Sequence, residues 1–359
     1  IDTINNSRLN HWESSNNNEF ADNSIENRCP IFYTDNGLNN RPYLSFRPPK
    51  NYLTSTINGD DVANTDPLNV YFLGNLYQQN VAYGFIFTLG NFSVYSPSNQ
   101  NRGAYNYNSS AQFAWASNGG QTYFLTTSCS PYSLINVIDN TETAELYKNG
   151  ALINSGIAEV YETASEASLI IGSRPSYDAS SSVASAKMDV EELLFFNEEH
   201  DSVIRNTLNH YLYQRYIPPL TLGKDTVISS LCTNLEISIP SVFSQIEWNG
   251  NSGGNSFTVD ESGKYYVSAS DIFGNNYSDT IEVTFVDISY PSSSNICEND
   301  SIEWSPVGDS NDYNINWSNG FNGTTIFIHS PQTLSVVVSD SIDCIIYSDT
   351  ITFSLDSFS

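Results

Sequence analysis

From Pro42 to Phe196, apolar and polar residues either alternate with period two or gather in short apolar runs, separated by Gly, Asn, Ser and Pro. "NVYFLGNL", "YGFIFTLG", "QTYFLTT", "LINVID", "AELYKNG", "SLIIGS" and "VEELLFF" each read as a β-strand, since alternate side chains of a strand face opposite sides. The stretch "ELYKNGALINSG", residues 145–156, shows how two of them join. Asn149-Gly150 tolerates positive φ at both central positions and so closes a two-residue hairpin. Many short strands with turn signals between them predict a sandwich or barrel, not a βαβ fold. One segment changes period. In "EEHDSVIRNTLNHYLYQRYIPP", Ile204, Leu208, Tyr211, Leu212 and Arg215 recur at helical spacing. Glu198, Glu199 and Asp201 stand near its start, where the helix dipole favours negative charge, and Pro218-Pro219 ends it. A lone helix closing an all-β run, followed by Pro-Pro, marks a domain boundary.

After that boundary the chain repeats itself. "LCTNLEISIP…SQIEWNG…GKYYVSASDIFGNNYSDTIEVTF" is echoed by "ICENDSIEWSP…YNINWSNG…QTLSVVVSDSIDCIIYSDTITF". Cys232 matches Cys297, Trp248 matches Trp317 and Asp279 matches Asp349, at offsets of 65, 69 and 70 residues. Each unit has the size of a small sandwich domain. The expected organisation is therefore 1–218, 219–287 and 288–359. Cys344 lies in the last hairpin of the second repeat, where a disulfide to Cys297 would close a 47-residue loop. Asn275 stands at about that place in the first repeat and leaves Cys232 without an obvious mate. Cys29–Cys129 is the other pairing to expect.

Composition narrows the function classes. Hydrophobic residues make up 39% and aromatic residues 13% of the 359, enough for packed cores. Against 13 Lys and Arg stand 40 Asp and Glu, a net charge of −27. Such a chain repels nucleic acid and anionic membrane surfaces, because phosphate binding needs Lys and Arg to release counterions. No apolar run is long enough to span a bilayer as a helix. The chain opens on Ile1 without a signal peptide, as a mature product or an excised piece would. None of the five cysteines forms a CxxC pair, so zinc and thioredoxin-type redox chemistry lack their spacing, and an extracellular home is expected.

Residues 9–217 resemble the laminin-G-like, concanavalin A-like lectin/glucanase sandwich of secreted Bacteroidetes proteins. The pieces are "LNHWESSNNN…CPIFYTDNGLNNRPYLSF", the "AELYKNGALINSG" hairpin, the "SLIIGSR" and "VEELLFFN" strands and the closing "RNTLNHYLYQRYI" helix, in that order. Met188 departs from the pattern, where a Gly is usual, and the first strand of that family would precede Ile1. Residues 220–359 resemble the immunoglobulin-like repeats that follow such domains. The first repeat keeps Gly263, Tyr265 and Asp271 but not the Cys. The resemblance implies an all-β chain: a concanavalin A-like jelly-roll sandwich with one short helix, then two immunoglobulin-like sandwich repeats. It also implies cell-surface display by type 9 secretion, whose C-terminal signal is not recognisable here. Asp-Ser/Thr followed by an aliphatic residue, as at Asp279-Thr280-Ile281 and Asp349-Thr350-Ile351, is similar to the O-glycosylation acceptor of the same bacteria.

Sandwiches of this kind include glycoside hydrolases, which need two carboxylates roughly 5–10 Å apart across a cleft. The candidates, Glu162 with Glu166 and Asp189 with Glu191 and Glu192, lack the three-acid spacing of the hydrolase branch and read as solvated or rim carboxylates. There is no G-x-S-x-G elbow and no H-E-x-x-H, and His11, His200, His210 and His329 are scattered. Two binding constellations remain. Asp60, Asp61, Asn64 and Asp66 crowd a polar turn whose oxygens suit Ca²⁺, the one cofactor the sequence suggests. Tyr105 and Tyr107 share a strand face, flanked by Asn101, Asn106 and Asn108, as in a stacking platform for sugar rings. Phe113 and Trp115 are expected in the core. The expectation is an extracellular, non-catalytic adhesin or carbohydrate-binding protein whose partner is a glycan or a surface protein. A polysaccharide hydrolase is the rival reading. So is a stalk or filament subunit that self-associates through an open sheet edge.

Overall fold

The computed structural model describes residues 7–8, 11–13, 20–22, 29–35, 37–47, 51–56, 67–79, 83–90, 99–107, 110–119, 125–158, 169–173, 185–228, 234–285, 288–291, 293–297, 300–307, 313–340 and 343–355. Among the described residues the chain is all-β with one α-helix, and it divides into two compact units, 1–219 with 271–275, and 220–270 with 276–359.

The first unit is a sandwich of two eight-stranded sheets. In spatial order the first sheet holds β1 (Ser7–Arg8), β4 (Ile31–Tyr33), β5 (Tyr43–Phe46), β16 (Met188–Phe196), β7 (Leu68–Leu76), β12 (Ser133–Asp139), β13 (Thr143–Lys148) and β14 (Ala151–Ile157). The second holds β11 (Leu125–Ser128), β10 (Gln112–Gly119), β9 (Asn99–Tyr107), β8 (Tyr83–Gly90), β15 (Leu169–Ile171), β6 (Leu53–Ser55), β3 (Phe20–Asp22) and β2 (His11–Glu13). Each of the seven apolar segments read from the sequence contributes to a strand. Their inner faces meet in one core in which Phe72, Val137 and Val190 pack with Phe87, Phe113 and Trp115. β7 and β12 are buried along their whole length, with Asn69, Asn75, Ser133, Asn136 and Asp139 buried among their apolar residues.

The Asn149-Gly150 turn has φ of 51° and 83°, as its sequence demands. Asn149 does more than turn. Its N–H donates to the Leu134 carbonyl at 2.8 Å, and its Oδ1 accepts from the Leu134 N–H at 3.0 Å, which ties the hairpin to β12. Beyond it, β14 is the edge strand, exposed except at Gly156, and a bulge at Ile153 interrupts its ladder with β13.

Helix α1 (Ser202–Tyr216) starts where Asp201 accepts hydrogen bonds from the Val203 and Ile204 N–H groups, both at 2.8 Å. Its buried residues are Asn209, Leu212 and Tyr216. Ile204 and Tyr211, read from the sequence as part of the packing stripe, are 41% and 52% exposed. The true stripe runs through Arg205, Asn209, Leu212 and Tyr216, and half of it is polar, which hides it from an apolar-periodicity reading.

The second unit carries the repeat. Its first half pairs β17 (Thr226–Ile228), β23 (Asn276–Phe285), β22 (Gly263–Ser270), β19 (Ser244–Trp248) and β20 (Asn251–Ser252) in one sheet, and β18 (Leu235–Ser238) with β21 (Ser256–Val259) in another. Its second half pairs β24 (Ser293–Ile296), β29 (Ile345–Leu355), β28 (Gln332–Ser339) and β26 (Asn314–Trp317), and separately β25 (Ile302–Trp304) with β27 (Ile326–Ile328). Equivalent residues do equivalent work. Trp248 Nε1 donates to the Gly254 carbonyl at 2.9 Å, and Trp317 Nε1 donates to that of Gly323 at 3.1 Å. Asp271 Oδ1 accepts from the Asn275 N–H and Asp340 Oδ1 from the Cys344 N–H, both at 2.9 Å, so Asn275 does occupy the place of Cys344.

Both expected disulfides are corrected. Cys344 is disulfide-bonded, but Cys297 is an exposed thiol. The register explains why: β24 runs parallel to β29 with Ile296 opposite Leu355, while Cys344 precedes Ile345 at the other end of β29. Ten residues of strand separate the two by roughly 30 Å, far beyond the reach of an S–S bond. The partner of Cys344 lies outside the described residues. Cys29 and Cys129 are both buried thiols, not linked to each other, and Cys129 Sγ donates to the Gly74 carbonyl at 3.7 Å.

Candidate functional site

The outer face of the first sheet is where functional chemistry gathers. Helix α1 packs over it, with Arg205 at one end beside Tyr147 of β13 and Tyr216 at the other beside β16. Under the first end lies a cavity of about 310 Å³, at the lower limit of ordinary ligand pockets. The sheet supplies Ile138, Asn140, Thr143, Glu145 and Tyr147 to its wall, and the helix start supplies Glu199, His200, Asp201, Ser202 and Arg205.

Several of these side chains are locked in place. Asn140 Oδ1 accepts from the Thr143 N–H at 2.8 Å and so holds the turn between β12 and β13. The Arg205 guanidinium lies 4.0 Å from the centre of the Tyr147 ring, a cation–π contact. The Tyr147 hydroxyl donates to Glu145 Oε2 at 2.6 Å, and burial, then that bond, raise its pKa. His200 is 3% exposed, its ring tilted against that of Phe196 with centres 4.6 Å apart, and its Nδ1 lies 3.0 Å from the Tyr71 hydroxyl. Burial pushes Tyr71 up to about 12, so it stays a phenol throughout the ordinary pH range. When Tyr71 donates to Nδ1, the proton of the neutral imidazole sits on Nε2. That nitrogen is buried and has no hydrogen-bond partner among the described residues; Glu198 Oε1 is 3.4 Å away but does not form one. Arg205 Nε is likewise buried without a partner. Buried polar atoms left unsatisfied by the protein are costly and mark where a ligand or water completes the set.

A second polar cluster sits toward the other end of the helix. Asp189 is gripped on both oxygens, Oδ1 by Arg47 at 2.8 Å and Oδ2 by the Tyr77 hydroxyl at 2.5 Å. Arg47 also donates to the Phe46 and Met188 carbonyls and covers the Tyr77 ring at 4.9 Å. Glu191 stands in a bulge of β16 and accepts from the Leu38 N–H at 2.9 Å. Its pKa is raised to about 8: burial dominates, the Leu38 hydrogen bond opposes it, and the Asp189 and Glu192 charges add to it. A Cβ on Gly37 would come within 2.5 Å of its carboxyl, so glycine is required there for close approach. Of the three acids weighed for hydrolysis on this strand, Asp189 is buried and held on both oxygens, Glu191 is buried and held on Oε1 while its Oε2 has no hydrogen-bond partner among the described residues, and Glu192 pairs with Arg215 at 3.0 Å. Glu162 and Glu166 lie outside the described residues.

The expected glycan platform on β9 is not open. Tyr105 shares a face with Tyr107, their rings 6.3 Å apart, but it is 3% exposed and packs with Phe85, Ala114 and Ala116. Asn106 points the opposite way, is fully buried and donates to the Tyr77 carbonyl at 2.9 Å. Only Tyr107 of that set is half-exposed, and Asn108 lies outside the described residues. So do Asp60, Asp61, Asn64 and Asp66. Among the described residues no group of three or more His, Cys, Asp or Glu is arranged to hold a metal ion, and no helix is long and apolar enough to cross a membrane. Phe113 and Trp115 are core, as expected. What the sequence reading missed is the pairing of Tyr147 with His200 and Arg205. The available signal was polar residues at the buried helix positions, next to a tyrosine flanking the Asn-Gly turn.

No protein-family model matches the chain, and no curated protein matches it either. Among solved structures it is similar to the CBM40 of Ruminococcus gnavus IT-sialidase, at 10% identity over 41% of this chain and 83% of that one, with a TM-score of 0.32. That domain has also been solved bound to alpha2,3 sialyllactose. It is similar to the botulinum neurotoxin serotype D binding domain at 10% identity, 98% and 94% coverage and a TM-score of 0.38. The serotype D/C VPI 5993 binding domain gives 12%, 98%, 94% and 0.36. Likeness at these identities and TM-scores carries no argument about function.

Proposed function

We propose that the first unit is a lectin-like, non-catalytic carbohydrate-binding sandwich, displayed outside the cell. The observation that carries this is the cavity of about 310 Å³ between β13 and the start of helix α1, whose wall combines Tyr147 with the polar side chains of Asn140, Thr143, Glu145, Asp201 and Arg205. Sugar hydroxyls both donate and accept, and a pocket with a few convergent polar groups on rigid elements suits them. Turnover is not part of the reading, because Asp189 is held on both oxygens by Arg47 and Tyr77, and Glu191 is buried with Oε1 on the Leu38 N–H. The disulfide at Cys344 supports an oxidising, extracellular setting, and the net charge of −27 supports a soluble, dispersed surface protein.

The test is isothermal calorimetry of the full chain against a panel of oligosaccharides, with and without Ca²⁺, alongside assays for reducing-sugar release. Saturable binding that Arg205→Ala weakens at least tenfold, without sugar release, is the expected result. Release of reducing sugar would convert the reading to hydrolysis, and the absence of binding to any glycan would overturn it.

A further inference from the structure

We infer that Cys344 is bonded to Cys232, so that a single disulfide braces the second repeat against the first.

The pairing follows from the inventory of sulfurs. The chain holds five cysteines. Cys29 and Cys129 are buried thiols of the first unit, Cys297 is an exposed thiol, and Cys344 is disulfide-bonded. The remaining cysteine is Cys232, outside the described residues. Cys232 belongs to the first copy of the repeat and Cys344 to the second, both within the second compact unit, so the bond joins the copies rather than closing either one.

The described strands bring both ends to the same place. β17 ends at Ile228, opposite Phe285, the last residue of β23, and Cys232 follows four residues later. Beyond Phe285 the chain passes into the second repeat, where Ile288 and Tyr290 already belong to its core. The Tyr347 hydroxyl donates to the Tyr290 carbonyl at 3.2 Å, with the two rings 6.2 Å apart. Cys344 stands three residues before Tyr347, at the tip of the β28–β29 hairpin, where its N–H donates to Asp340 Oδ1. Each residue of chain spans up to about 3.5 Å, so four on one side and three on the other let the sulfurs meet at the junction. Cys297 stands at the wrong end, because Ile296 lies opposite Leu355.

The duplication has thus been put to a new use. Asn275 occupies the place of Cys344 in the first copy, so neither copy carries the same pair, and each supplies one sulfur to a shared bond. The bond closes a loop of 112 residues (344 − 232), and a cross-link over a loop that long takes much disorder from the unfolded chain. Forming it removes two electrons and two protons from the two thiols. An exchanging disulfide accepts them and leaves as two thiols. The brace therefore closes in an oxidising setting and opens in a reducing one.

The full chain, native and unreduced, is blocked with maleimide, unfolded with the reagent still in excess, and cut with trypsin and a Glu-specific protease. Cleavage after Lys224, Glu236, Glu282, Glu298 and Glu303 puts Cys232, Cys297 and Cys344 on three separate peptides. The expected product is peptide 225–236 linked to peptide 304–359 and released by reductant, with maleimide on Cys297. A link between the Cys297 and Cys344 peptides, or maleimide on both Cys232 and Cys344 before reduction, would overturn the pairing. Thermal unfolding then tests the brace. Cys344→Ser, or reductant on the wild type, should lower the transition of the second unit by on the order of 10 °C, whereas Cys297→Ser should leave it in place. A Cys344→Ser variant that unfolds at the wild-type temperature would sink the bracing role.

Discussion

Arg102 of β9 and Asp139 of β12 form an ion pair across the interior of the sandwich, 3.5 Å apart with side chains 5% and 0% exposed. Trp115 Nε1 donates to the other carboxylate oxygen at 3.3 Å, and the Thr141 N–H donates to Oδ1 at 3.1 Å. The pair therefore links the two sheets at one defined register. Burial raises the Asp139 pKa, and Arg102, Thr141 and Trp115 oppose that rise. Removing Asp139 takes a charged partner from the buried Arg102 guanidinium, a loss of up to about 3–5 kcal/mol. Asp139→Leu is expected to lower the guanidinium unfolding midpoint by that equivalent, and adding Arg102→Met should recover much of it. Equal losses in the single and double variants would show that no such coupling exists.

Glu191 predicts a pH dependence. Its folded pKa of about 8 lies above the unfolded carboxyl value, so between about pH 4.5 and 8 the folded state holds a proton that unfolding releases. The stabilisation is full below the unfolded pKa and is lost as pH rises through 8. The loss is of the order of 5 kcal/mol in all. Glu191→Gln keeps an acceptor for the Leu38 N–H and cannot ionise. The stability difference between wild type and this variant, followed by chemical denaturation from pH 5 to 9, should therefore shift steadily against wild type as pH rises. A difference that stays constant with pH would refute the assignment.

How much of this was legible beforehand differs by element. The apolar strand runs, the Asn149-Gly150 hairpin and the repeat after Pro219 rest on local chemistry or internal identity, and each is found in the structure. The cavity was not legible, because it joins Tyr147 to Arg205, 58 residues apart in sequence, through a helix whose packing stripe is half polar. The Tyr105–Tyr107 platform failed for a related reason. Alternation correctly placed both on one face, but whether that face is covered depends on Phe85 and Ala114 of neighbouring strands. The Cys297–Cys344 pairing followed from the repeat and was undone by one parallel register.

The Asn149 clamp predicts a repeated weakness. Asn249 precedes Gly250 at φ 50° and bonds Tyr266 through both its N–H and Oδ1, just as Asn149 bonds Leu134. Alanine at either site meets positive φ and loses a side-chain acceptor, which costs about 1–3 kcal/mol. Each single substitution should lower thermal stability, and Asn→Gly should restore the turn but not the side-chain bond, losing less. If Asn149→Ala unfolds like wild type, the clamp is decorative.

The cysteines give the sharpest chemical check. A thiolate is the reacting species toward iodoacetamide or maleimide. Cys297 is exposed, whereas Cys129 is buried and its pKa is pushed up to about 12 by that burial; Cys29 is buried as well. Maleimide applied to the native, unreduced protein should therefore modify Cys297 within minutes. Cys29 and Cys129 should react only after unfolding, and Cys344 only after reduction. Peptide mass mapping reads all four sites in one experiment. If Cys297 stays protected until a reductant is added, the register of β24 on β29 is wrong, and the pairing suggested by the repeat is right after all.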